Sequence, residues 1–217
     1  MKRLIWALTL VALFVTLGLS IVQAQGNRIT VGPEFLAGGS VYAGTVPKSL
    51  KTDARFSFNF GALGYYNSTE SFALMLGLVY DSRGMNFHQQ DDANHFENST
   101  FNYLSFQPGV KFKDFTLGLG LGIPLGGSID EHTGVATGTT DISASRMATM
   151  VELRLGGSVP ILESELGDLR FIINGSYPLT KTFSSSLGFT FNGNPQSQDG
   201  PIPTLQAGLS FQFGVSK

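Results

Sequence analysis

Along most of this chain, apolar and polar residues alternate one by one. Near the C-terminus, Leu205, Ala207, Leu209, Phe211, Phe213 and Val215 fall on one face of an extended segment, and Gln206, Gly208, Ser210, Gln212 and Gly214 on the other. A period of two is the mark of a strand with one apolar and one polar side. About ten such residues is also the length a tilted strand needs to cross a bilayer. The alternation recurs at 28–37, with Ile29, Val31, Phe35 and Ala37 together, and Pro33 on the same face. Pro cannot donate to a ladder, so a bulge is expected there. It continues at 55–65 (Phe56, Phe58, Phe60, Ala62), 71–83 (Phe72, Leu74, Leu76, Leu78, Tyr80) and 101–112 (Leu104, Phe106, Pro108, Val110, Phe112). At 115–125, Leu117, Leu119, Leu121 and Ile123 alternate with Gly118, Gly120 and Gly122. The pattern closes with 146–159 (Met147, Val151, Leu153, Leu155), 169–179 (Phe171, Ile173, Tyr177) and the final strand, making eight.

The connections alternate too. Those at 67–70, 113–114 and 161–167 are short; those at 38–53, 84–100, 126–145 and 180–203 are long and polar. Short turns at one end and long loops at the other are expected of an up-and-down transmembrane barrel. Leu187, Phe189 and Phe191 also alternate, inside the fourth long loop. They fit an extension of the wall, a hairpin limb, or a further strand of a ten-stranded barrel.

Charges test the phase independently, because Arg or Lys on a lipid-facing position costs roughly 2–4 kcal/mol at the bilayer midplane. With the phase set by apolar residues alone, Glu34, Arg55, Lys111, Glu152, Arg154 and Arg170 all fall on the inner face, as do Asp81 and Arg83. An eight-stranded barrel is just wide enough inside for side chains to fill it. The acids Glu34 and Glu152 are therefore expected to pair with the four cations as a network that holds the lumen shut, since buried charges require partners. The predicted class is all-β: an eight-stranded antiparallel up-and-down transmembrane β-barrel.

The N-terminus sets the compartment. Lys2 and Arg3 precede an apolar run to Leu19, and Val22 and Ala24 stand at the −3 and −1 positions before Gln25. This is the pattern of a cleaved secretory signal peptide, so residues 1–24 are expected to be leader and 25–217 the barrel domain. Every later apolar run is broken by Pro or Gly well short of a helical span. Export without helical anchors is compatible with membrane insertion, because a closed barrel satisfies its own backbone.

Composition narrows the classes further. The 14 basic and 16 acidic residues become 12 and 16 once Lys2 and Arg3 leave, which argues against nucleic acid. The chain has no Cys, which excludes a disulfide framework and thiol chemistry. Its charged fraction of 14% is low for a soluble domain.

Two resemblances sharpen this. The end of the chain resembles the C-terminal sorting signal of bacterial outer-membrane barrels, with Gln206, Gly208, Phe211 and Phe213 at its defined positions. Leu74-Met75-Leu76-Gly77-Leu78-Val79-Tyr80-Asp81-Ser82-Arg83-Gly84 looks like the strand followed by Tyr-Ser-x-(Lys/Arg)-Gly of the PorT-like outer-membrane β-barrel family, common in Bacteroidetes. Asn102 to Phe112 is similar to that family's Tyr-Leu-x-x-Pro-x-x-x-Lys strand, with Pro108 one position later than usual, which suggests a shifted bulge. The resemblance implies a small OmpA/OmpX-type barrel, an outer-membrane location in a Gram-negative envelope, and no defined activity.

Candidate chemistry is sparse. The three histidines, His88, His95 and His132, lie in long loops, and no triad aligns with Ser99 or Ser128. His88, Asp91, Asp92, His95 and Glu97 have metal-ligand character, but a solvated loop explains them more simply. Lys48 and Lys51 in the first loop are explained equally well as contacts to acidic lipopolysaccharide groups and as ordinary surface lysines. Leu119-Gly120-Leu121-Gly122 precedes no helix and is no dinucleotide fingerprint. No catalytic residue, metal or cofactor is expected. The expected partners are outer-membrane lipids, the barrel-assembly machinery through the final strand, and an extracellular ligand of the loops. The expected role is structural or adhesive; the alternatives are a narrow channel for small solutes or ions and a soluble periplasmic ligand-binding barrel.

Overall fold

The computed structural model describes residues 29–46, 48–133, 137–164, 166–183, 188–191, 194–197 and 200–214. The predicted leader, Arg28, Leu187 and Val215 lie outside these. The described strands are β1 (Ile29–Ser40), β2 (Leu50–Asp53), β3 (Arg55–Asn67), β4 (Phe72–Gln89), β5 (Asp92–Phe112), β6 (Phe115–Thr133), β7 (Thr137–Ile142), β8 (Met150–Ser164), β9 (Gly167–Pro178), β10 (Gly188–Phe191), β11 (Asn194–Ser197) and β12 (Thr204–Gly214). Antiparallel pairs run β1–β3–β4–β5–β6–β8–β9–β12 and return to β1, so the sheet closes on itself with eight staves. β2 and β7 add no stave: β2 takes over pairing with β4 beyond the end of β3, and β7 takes over pairing with β6 beyond the end of β8.

Closure fixes the width of the lumen. From Arg170 the ladder passes through Ser210, Glu34, Gly61, Val79, Ser105, Gly122 and Met150. Met150 stands two residues before Glu152, which faces Pro178 on β9, the strand where the ladder began. The circuit therefore returns displaced by about ten residues, a stagger that tilts the strands by roughly 40°.

The eight predicted staves are all present, but several boundaries move. The segment 84–100, expected to be a loop, is a paired hairpin in which β4 runs to Gln89 and β5 begins at Asp92. β6 likewise runs on to Thr133, well past the expected 125. The eighteen, twenty-one and nineteen residues of β4, β5 and β6 exceed a bilayer crossing, whereas the eleven or twelve of β1, β9 and β12 match one. A five-stranded sheet, β2–β4–β5–β6–β7, thus rises above one side of the ring.

Among its described residues, the fourth long loop adds neither a ninth stave nor a wall extension. β10 and β11 pair only with each other, which makes Phe189 and Phe191 part of a hairpin limb. Pro33 causes no bulge: Val31 faces Phe213 and Glu34 faces Ser210 in one unbroken register, with only local loss of pairing. Pro108 also keeps register against β4. The irregularities fall instead at Asn102/Tyr103, Pro160/Leu162 and His88/Gln89. β8 begins at Met150 because a 3-10 turn, Ala144–Arg146, precedes it. Met147, expected to face outward, is buried, because the residue leaving that turn does not follow the strand's phase.

Candidate functional site

The ring carries an apolar outer wall. Phe35, Phe60, Leu76, Leu78, Leu119, Ile123, Leu153, Leu155, Ile173 and Leu209 are all exposed, Leu155 by 65% and Ile123 by 61%. Aromatic residues gather at both rims. At the short-turn end Phe72, Phe112 and Phe115 stand side by side across β4, β5 and β6, with Phe213 on β12. Towards the loop end Phe56, Phe58, Phe60 and Tyr80 form a contiguous patch with ring centroids 5.3–6.4 Å apart. Phe56 to Tyr66 on β3 rises about 33 Å along the strand at ~3.3 Å per residue. A tilt of roughly 40° reduces that to about 25 Å, the height of an outer-membrane apolar band.

Above that band the polarity of the alternation inverts. On β4, Leu76, Leu78 and Tyr80 face outward, whereas Met85 and Phe87 are buried inside with Phe101 and Tyr103 of β5. These four join Tyr42, Ile129, Ile142, Met147, Met150, Phe183 and Ile202 in an apolar cluster at the loop end. Backbone bonds from Val41 to Pro203 and from Ala43 to Pro201 hold the covering loops together, and the Gly200 amide donates to Tyr42 Oη at 3.1 Å. A smaller apolar cluster, Leu63, Tyr65, Ala73 and Met75, lies towards the short turns.

Between the two clusters lies a charged layer. The Arg83 guanidinium donates to both carboxylate oxygens of Asp81 and contacts Glu152 Oε2 at 2.9 Å. Arg154 donates to Glu152 Oε1 at 2.8 Å and stands 3.9 Å from Asp81. All four residues are at most 3% exposed. Arg83 also donates to the Ile202 carbonyl at 3.3 Å, which ties the layer to the loops above. Amides extend the polar belt: Asn59 donates to Gln206, which donates to Ser57. Glycines make the room. A Cβ on Gly120 would meet the Glu152 carboxylate at 2.5–2.9 Å, and one on Gly122 would meet Met150 and Tyr103.

The six residues expected to form one lumen network are split. Glu152 and Arg154 are central, but their partners are Asp81 and Arg83, inner-face residues outside the expected six. Glu34 is buried on the same inner wall with Arg154 as its electrostatic neighbour. Arg170 lies at the short-turn end, held by Asp114 at 3.0 Å and by Ser158. Lys111, also at that end, sits 5.2 Å over the Tyr65 ring. Arg55 is not in the lumen. Its guanidinium donates to Thr100 Oγ1 at 2.8 Å on the outer face of the raised sheet, beside Asp130, and its stem lies where a Gly84 side chain would be. The cause is a register slip: continued from Phe58 opposite Ser82, Ala54 would face Asn86, but Asp53 does. A one-residue slip turns side chains to the other face.

In the final strand, where a sorting signal is expected, Gln206 is buried in the lumen and Phe213 is exposed, while Phe211 packs against Phe213 at 4.5 Å. A side chain on Gly208 would strike the Phe35 carbonyl. Among the described residues, the candidate metal ligands do not come together as a group of three or more. His88 faces outward and bonds Asp53 at 2.9 Å, whereas Glu97 is buried on the inner face and accepts from Ser99.

No family model matches the chain, and no curated protein matches it. Several solved outer-membrane barrels are similar in shape. The attachment invasion locus protein Ail of Yersinia pestis is 12% identical, with 87% of this chain and 100% of that one covered and a TM-score of 0.41. Neisserial surface protein A is 11% identical, with 85% and 97% covered and a TM-score of 0.35. The outer membrane protein OprG from Pseudomonas aeruginosa is 10% identical, with 87% and 97% covered and a TM-score of 0.34. At these identities and TM-scores they carry no argument about function.

Proposed function

We propose that this protein is an outer-membrane β-barrel with a structural or surface-binding, adhesin-like role and no enzymatic activity. The observation that carries this reading is the inverted alternation. The ring is apolar outside over one bilayer height, and above it β4, β5 and β6 continue as a sheet whose polar face is turned outward. A rigid wall that raises polar strands off a membrane is a scaffold for contact, and binding residues gather on such exposed extensions. The plugged lumen favours this over a channel, because an apolar cluster and a buried ion-pair layer lie in series along it.

The reading includes export by a cleaved leader, insertion by the barrel-assembly machinery through the final strand, and the short turns on the periplasmic side. On the motifs 74–84 and 102–112 we also assign the chain to the PorT-like barrels of Gram-negative envelopes. In that assignment the motif's Asp81 and Arg83 serve as the lumen ion pair.

Cells expressing the full chain test the role against a variant lacking 86–98. The protein should pellet with outer membranes, show a heat-dependent gel shift and stay silent in planar bilayers. The deletion should keep the barrel but reduce adhesion to host surfaces or weaken the envelope. Unchanged adhesion and integrity would sink the adhesive-structural reading, and reproducible conductance would replace it with a channel.

A further inference from the structure

Below the apolar cluster at the loop end, the buried charges of the lumen do not balance. At the short-turn end Lys111 and Arg170 are matched by Asp114 and Asp168. In the middle, Asp81, Glu152 and Glu34 face only Arg83 and Arg154. Both guanidiniums are committed to Asp81 and Glu152, and among the described residues no cation lies within ion-pair distance of the Glu34 carboxylate, which is 5% exposed. An uncompensated buried carboxylate is costly.

The wall around Glu34 also carries oxygen atoms without partners. Ser210 is the direct cross-strand neighbour of Glu34 on the inner face, which places the two Cβ atoms about 5 Å apart. Ser210 Oγ is buried and makes no hydrogen bond among the described residues. On the other side Glu34 faces Gly61, which has no side chain, and Asn59 lies two residues further along β3. Asn59 spends its amide N–H on Gln206, and its buried Oδ1 has no donor.

We propose that the lumen holds one monovalent alkali cation beside Glu34, bound by the Glu34 carboxylate, Ser210 Oγ and Asn59 Oδ1. Hard cations take oxygen ligands of this kind. A single surplus negative charge matches a monovalent ion, whereas a divalent one would leave the layer positive. With one carboxylate and no His, the set offers nothing to select a transition metal. The site goes beyond the surface role and holds whether or not the raised sheet binds anything.

The folded full chain in detergent micelles tests it, with urea unfolding followed by circular dichroism in equal concentrations of potassium, sodium or choline chloride. Choline screens surface charge but is too large for the site. The midpoint should be higher in at least one alkali salt than in choline, and Glu34→Gln should abolish that shift. Ser210→Ala, which removes one ligand and no charge, should reduce the shift by at least half. Equal wild-type midpoints in all three salts would overturn the proposal, as would a shift that survives in E34Q. An infrared carbonyl band of a protonated carboxyl that E34Q removes would also overturn it, by showing that a proton balances the charge instead.

Discussion

Gly120 sits on the inner face of β6 with the Glu152 side chain laid across it. Glu152 is held in turn by Arg83 and Arg154, so the glycine is a void on which the charged layer depends. Gly120→Ala should displace the carboxylate and destabilise the barrel by about 1–3 kcal/mol, the usual cost of overpacking. The control is Gly138→Ala, where a new Cβ meets nothing within 4 Å and urea midpoints should stay within error. Equal effects of the two would mean that Glu152 is not packed as described. At this scale most of the interior was legible, because a period of two assigns each residue a face once the apolar side is known. Glu34, Lys111, Glu152, Arg154 and Arg170 could be placed inside on that basis. Arg55 could not, because the slip near Ala54 follows from pairing with β4 and leaves no mark in the local pattern. Asp114 lies in a turn outside the alternation, so its bond to Arg170 was equally invisible.

The β4–β5 hairpin was the element read least well. Polar residues from Asn86 to Thr100 suggested a loop, yet every residue from Gly84 to His88 has a partner in β5. A ladder needs backbone hydrogen bonds, not an apolar outer face, and above the lipid the outer face meets water. The signal was present in inverted form: Met85 and Phe87 continue the alternation with the apolar side turned inward. On the proposed reading, the inversion between Tyr80 and Met85 marks where lipid gives way to water on this strand. Hydrogen exchange should find the amides of 84–88 and 96–100 protected nearly as well as those of 74–80. Exchange at loop rates there would mean that the sheet ends at the membrane surface and that no raised scaffold exists. The bulge at Asn102/Tyr103, opposite the stretch from Pro124 to Gly126, lies at the same level, where β6 changes phase.

At the scale of the whole molecule, one closed sheet separates three environments. Its outer band is apolar, its middle lumen is ionic, and its upper interior is a small apolar core under covering loops. Each follows from the same constraint, that the strands satisfy their backbone against one another around the ring and side chains are left to choose their solvent. The solvent met by the outward positions of the ring therefore decides whether this is a membrane barrel. The chain has no native cysteine, so single cysteines can be introduced along β4 at 72 to 80 and spin-labelled without background. In reconstituted bilayers, oxygen accessibility should alternate with a period of two, high at Phe72, Leu74, Leu76, Leu78 and Tyr80 and low at Ala73, Met75, Gly77 and Val79. Labels at the outward positions that are open to a water-soluble relaxant instead of to oxygen, or that show no alternation, would contradict a lipid-facing barrel wall.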